Sequence, residues 1–199
     1  MTIQHLFPRL RLCAGTLVLT VAVCSGCVRT PGAEIERRIE IAERESEPAR
    51  LLARARAFAQ IGDFTRAEQY IDAARSSGAD ADDVLPLLLE VCIKDRRYRS
   101  AVQHSEDYLR RRPAAYRVRF MLATLYVGLE EAEAARRELE RVLRAEPEHA
   151  DAHYMLAIVL RDDLGHPGEA DGHFREYLRL APGGTHAEQA ESALLQRVP

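Results

Sequence analysis

The sequence predicts an all-α chain built as a linear array of helical hairpins, and three observations predict it. From Glu34 onwards the apolar residues recur at helical spacing, with almost none of the alternation that strands require. Residues of one kind then return every 34 positions: Ala67, Ala101 and Ala135; Ala55, Leu89, Ala123 and Ala157; Phe58, Cys92, Tyr126 and Leu160. Prolines close the period at Pro113 and Pro147. A fixed period of this length means a stack of two-helix units, each too small to bury its own apolar face.

The first 26 residues are set apart. Arg9 and Arg11 precede an apolar run over 13–23 that is only 11 residues long, well short of the roughly 20 a bilayer-spanning helix needs, so it reads as the core of a signal peptide. The residues Cys24, Ser25, Gly26 and Cys27 resemble a bacterial lipobox, although Cys24 stands where leucine is usual. That resemblance implies cleavage before Cys27 and acylation of its sulfur. Val28, where an inner-membrane lipoprotein would carry aspartate, points to the outer membrane and its periplasmic face. Several acyl chains, at about 0.8 kcal/mol per buried methylene, would make such an anchor close to permanent. Residues 27–47 are then a lipidated terminus and tether, with a helix expected over 33–44.

The array is expected over 48–182, with hairpins near 48–81, 82–115, 116–149 and 150–183. In order, their second helices contain GDFTRAEQYIDAA, RRYRSAVQHSEDYLRRRP, EAEAARRELERVLRAEP and GEADGHFREYLRLAP. These segments resemble the tetratricopeptide repeat family, which implies a right-handed superhelical array whose first helices line a concave face. Alanines at the recurring positions let paired helices approach closely. The prolines cannot continue a helix and end each hairpin. The fourth hairpin runs one residue long, which Gly165, Pro167 and Gly168 in its turn should tolerate. A capping helix is expected over 184–197.

Several positions depart from the family pattern. The bulky first-helix position is Leu51, Leu85, Arg119 and His153, where an aromatic is typical. Leu89 replaces a small residue. Pro86 would fall in a first turn if Asp83 is the helix cap. The first hairpin ends in SSGADADD with no proline.

Chemistry has little to stand on. No phosphate loop, nucleophile elbow or metalloprotease motif occurs, so the chain is expected not to be an enzyme and to need no cofactor. The formal charge of −3 grows more negative without the leader, against nucleic-acid binding. His149 and His153, four apart on one helix, are a weak metal pair to which His166 and His173 could add. The competing reading makes His153 a packing residue and His149 a linker. Cys92, in register with Tyr126 and Leu160, reads as core, against a reactive thiol.

The resemblance leaves the concave face as the working surface. It would present Leu52 and Arg56; Glu90 and Ile93; Phe120, Met121 and Thr124; and Tyr154, Met155 and Ile158. Such an apolar groove suits an extended segment or an amphipathic helix of a protein partner. The family's carboxylate clamp is disfavoured, since the chain has no asparagine and Lys94 is its one lysine. The reading is a lipid-anchored, non-catalytic scaffold similar to tetratricopeptide lipoproteins of pilus, secretion or polysaccharide-export assembly. The alternatives are an accessory of outer-membrane β-barrel or cell-wall assembly and, in another class, a periplasmic metal-binding protein using His149 and His153.

Overall fold

The computed structural model describes residues 31–194, so the leader and Cys27 lie outside the described residues. The chain divides into two compact units, Met1–Glu40 and Ile41–Pro199. The boundary falls within α1 (Pro31–Glu45), which exposes Ile35, Ile39 and Ile41. The helical array lies wholly in the second unit.

Four hairpins follow: α2 (Pro48–Gln60) with α3 (Phe64–Ser76), α4 (Ala81–Lys94) with α5 (Tyr98–Arg111), α6 (Tyr116–Gly128) with α7 (Ala132–Ala145), and α8 (Ala150–Ile158) with α9 (Pro167–Leu180). A short α10 (Ala187–Ala193) buries Ala190 against the last hairpin. The described residues are helical and contain no strand, as the 34-residue register predicts. The recurring small residues lie where the helices meet. Ala55, Ala123 and Ala157 on first helices, and Ala67, Ala101 and Ala135 on second helices, have no exposed surface. Leu89 is equally buried, so hairpin two accepts a larger side chain at that contact.

The turns within hairpins share one device. Asp63 N–H donates to Phe58 O (3.0 Å), Arg97 N–H to Cys92 O (2.7 Å) and Glu131 N–H to Tyr126 O (2.9 Å). Each is the six-to-one bond of a Schellman cap, which needs a left-handed residue just before the donor. Those residues are Gly62 (φ +80°), Arg96 (φ +58°) and Glu130 (φ +60°). In hairpin four, His166 N–H reaches Leu160 O at 2.7 Å, one residue farther along the chain, with Gly165 (φ +69°) before it. The extra residue is therefore absorbed upstream of the glycine, in a π-helical turn over Val159–Asp163. Its backbone bonds stay satisfied because the helix widens there. The extra residue, expected in the turn where Gly165, Pro167 and Gly168 would tolerate it, is thus carried mainly by the π turn upstream of all three, with Gly165 keeping the left-handed position.

Non-glycine residues in the left-handed region cost roughly 1 kcal/mol. Arg96→Gly and Glu130→Gly are each expected to stabilise the array by about 0.5–1 kcal/mol, the gain being trimmed by glycine's freedom in the unfolded chain. Urea unfolding followed by circular dichroism measures this, and a lower midpoint in either variant would contradict the cap assignment.

Two other expectations change. The cap of α4 is Asp80, whose carboxylate accepts from the Asp82 N–H at 2.8 Å, so the helix begins earlier than a cap at Asp83 would have it. Pro86 consequently lies in the second turn, inside the helix. The first hairpin ends without proline because Gly78 (φ +91°) closes it, Ala79 N–H donating to Ala74 O at 2.9 Å.

Candidate functional site

The first helices carry the face that the register assigns to binding. On α4, Glu90 is exposed and pairs with Lys94 at 2.6 Å, and Ile93 is exposed beside it. On α6, Met121 and Thr124 are exposed and Phe120 is half-buried, its ring 4.7 Å from that of His149. On α8, Met155 and Ile158 are half-buried. Neighbouring hairpins meet where the Thr124 hydroxyl donates to Phe120 O (3.0 Å) and lies 3.7 Å from the Met155 sulfur. The structure thus brings Phe120, Thr124 and Met155 together across hairpins three and four. Arg56 is exposed on α2.

Two of the expected residues serve the fold instead. Leu52 is only 4% exposed and belongs to the core, so it offers no surface to a partner. The Tyr154 ring stacks on His186 (4.1 Å between centroids, 6° between planes) and its hydroxyl donates to Gln189 at 2.7 Å. It fastens α10 to the last hairpin. Burial raises its phenol above the usual range.

The histidines do not converge as a metal site would require. His149 caps α8, its Nδ1 accepting from the Ala152 N–H at 3.2 Å. His153 faces elsewhere, with Nε2 2.9 Å from Pro147 O and Nδ1 2.9 Å from Nδ1 of His173. His166 is exposed and meets Glu169 at 2.9 Å. Among the described residues, no three His, Cys, Asp or Glu side chains are grouped to hold a metal ion. Cys92 is fully buried, and burial pushes its thiol up, which opposes thiolate formation.

What sequence reading missed is a second register of polar pairs linking the first helix to its partner in hairpins three and four. Arg119 Nη1 donates to Glu138 Oε2 at 2.8 Å and Arg119 Nη2 to Pro113 O at 2.8 Å. One repeat later the same three places hold His153, His173 and Pro147 O. The signal was present, since Arg119 and His153 are 34 apart, and Glu138 and His173 35 apart across the π turn. It could be read only with the insertion located.

The paired imidazoles carry a pH dependence. Pro147 O can only accept, so His153 Nε2 carries hydrogen and neutral His153 turns a bare Nδ1 to His173, whose Nδ1–H donates. Two protonated rings would set two N–H groups against each other. Burial first, and His153 second, hold His173 below the usual imidazole range, against Glu169 and Glu176 on α9 and Glu140 on α7, which pull it upwards. A depressed imidazole binds its proton in the unfolded chain first. Its stabilisation is therefore full above about pH 6.5 and drains as pH falls through the folded value. Between pH 7.5 and 5.5 the array should lose stability, with His104, also lowered by burial, adding to the slope. His173→Gln should flatten the melting-temperature profile in part. An unchanged slope would assign the dependence to other groups.

Comparison with known proteins agrees with this geometry. The tetratricopeptide repeat family's sequence profile matches residues 120–185. A comparison with curated proteins finds no match. Among solved structures, the chain is similar to YrrB, described as a TPR protein with an unusual peptide-binding site, at 16% identity and a TM-score of 0.62, covering 80% of this chain and 84% of that one. It is also similar to MamA from Desulfovibrio magneticus RS-1 (22% identity, TM-score 0.60, 77% and 89% covered). A tetratricopeptide repeat protein from Parabacteroides merdae matches at 21% identity and a TM-score of 0.66, with 73% of this chain and 58% of that one covered.

Proposed function

We propose that this chain, whose helical array has the tetratricopeptide-repeat fold, is a non-catalytic scaffold that grips an extended segment or amphipathic helix of a protein partner on the face made by α4, α6 and α8. The observation that carries the reading is that consecutive first helices each leave apolar side chains accessible: Ile93, then Phe120 and Met121, then Met155 and Ile158, with Met121 and Met155 standing 34 residues apart. Methionines suit such a face because they repack around different partners. That YrrB is described as having a peptide-binding site adds support by fold alone.

Acylation of Cys27 would tether this face to the outer membrane on its periplasmic side. No helix among the described residues is long and apolar enough to cross a membrane. The setting we propose is assembly of a pilus, secretion or polysaccharide-export complex, and an outer-membrane β-barrel or cell-wall assembly is the other setting that fits a lipid-anchored scaffold.

Capture from cross-linked membranes with the wild-type chain and a Cys27→Ala control, followed by mass spectrometry, tests both parts. Wild type should recover an envelope-assembly protein and Cys27→Ala should lose the membrane fraction. Phe120→Asp and Met155→Asp should each abolish capture while circular dichroism stays unchanged. Capture that survives both substitutions would remove the face from consideration.

A further inference from the structure

Hairpin two lacks a polar bridge that hairpins three and four both have. The place is defined by three repeat positions: the start of the first helix, the middle of the second, and the carbonyl that precedes the hairpin. Hairpin three bridges it with Arg119, Glu138 and Pro113 O, leaving a smaller cleft of about 360 Å³, and hairpin four with His153, His173 and Pro147 O. In hairpin two the corresponding residues are Leu85, His104 and Ala79. Leu85 has no donor to offer that carbonyl, and an aliphatic side chain facing an imidazole forms no bridge. What remains is a cavity of about 500 Å³ lined by all three.

Its walls are divided by chemistry. Val84, Leu85 and Leu88 form an aliphatic floor, and each is buried. Arg75, Arg111 and Arg112 stand around it, against a single lining carboxylate, Asp107. Arg112 is held in place by Asp82 and by Asp80 at 3.3 Å, and Arg75 by Asp72 at 3.5 Å. Arg111 is exposed and has no ion-pair partner among the described residues. Burial, helped by Arg75 and opposed by Asp107, holds His104 below the usual imidazole range.

We propose that this cavity is a binding site for an aliphatic carboxylate, with the chain on the leucine floor and the carboxylate on Arg111. A guanidinium offers two parallel donors to a carboxylate, and the volume falls within the range of small-ligand pockets. The site is separate from the proposed partner-binding face, to which α4 contributes Glu90 and Ile93 and none of the cavity's floor. Either site can fail without the other. The carboxylate could come from a free fatty acid or from the C-terminal residue of an apolar peptide.

Titration calorimetry with decanoate and with acetyl-leucyl-leucine tests the proposal, using decanol and the dipeptide's C-terminal amide as uncharged controls. Saturable binding of either acid supports it, decanoate alone pointing to a lipid source and the dipeptide alone to a peptide terminus. Arg111→Gln should weaken binding about tenfold or more. Leu85→Arg combined with His104→Glu, which copies hairpin three's bridging pair and replaces part of the aliphatic floor with charge, should abolish binding with helicity retained. If that double variant does not fold, Arg111→Gln decides alone, because its side chain is exposed. Equal binding of the uncharged controls, indifference to Arg111→Gln, or no binding of either acid up to about 10 mM would overturn it.

Discussion

Replacing Glu138 by alanine is expected to destabilise the array by about 3 kcal/mol or more. The Glu138 side chain is 11% exposed and that of Arg119 17%, so both charges have given up most of their water. Glu138 answers Arg119 on one oxygen, while its other oxygen accepts from Arg141. Without Glu138, the Arg119 guanidinium keeps the Pro113 carbonyl but remains largely desolvated with no counter-charge. The cost arises from that stranded cation, not from a large net value of the pair. It follows that Arg119→Leu with Glu138→Leu should recover most of the loss and fall within about 1 kcal/mol of wild type. Denaturant unfolding of the two single variants and the double variant makes the cycle. A double variant as unstable as the worse single would mean that the pair contributes through something other than mutual charge compensation.

The same pair shows where sequence reading stops. The fold was legible because it rests on a covalent periodicity: alanines at close helix contacts and prolines after α5 and α7 are local necessities, and each leaves a mark at its own position. Arg119 and His153 were visible as departures from an aromatic position. Their partners were not, because a hydrogen bond between two helices leaves no local mark on either. The π turn was hidden for a related reason. An insertion changes the count between Leu160 and His166, but the count does not say whether a loop or a helix takes it up. On the proposed partner face, Phe120, Met121, Thr124, Met155 and Ile158 were placed by register alone. Register could not tell that Leu52 is closed into the core, nor that Tyr154 is committed to α10, which packs on the end of the array where the repeat no longer repeats. The leader and Cys27 were read from sequence and stand beyond the described residues.

Phe174→Ala is expected to cost about 3–5 kcal/mol and to be felt unevenly along the chain. Phe174 is 1% exposed, with the Arg161 guanidinium 5.2 Å from its ring centre and the Tyr154 ring meeting it edge-on at 6.1 Å. It occupies the register of Ile71, Ser105 and Leu139, all of them fully buried, and is the largest side chain of the four. In a stack of repeats each hairpin draws its stability from its immediate neighbours. Among the described residues, the last hairpin has α7 on one side and the short α10 on the other. A cavity there should therefore open α8, α9 and α10 together while α2 to α5 stay folded. Hydrogen exchange would report this as lost amide protection over 150–193 with protection over 48–111 retained, and the proposed partner face would lose Met155 and Ile158 at the same time. Uniform loss of protection in a single transition would show instead that the four hairpins are coupled strongly enough to unfold as one.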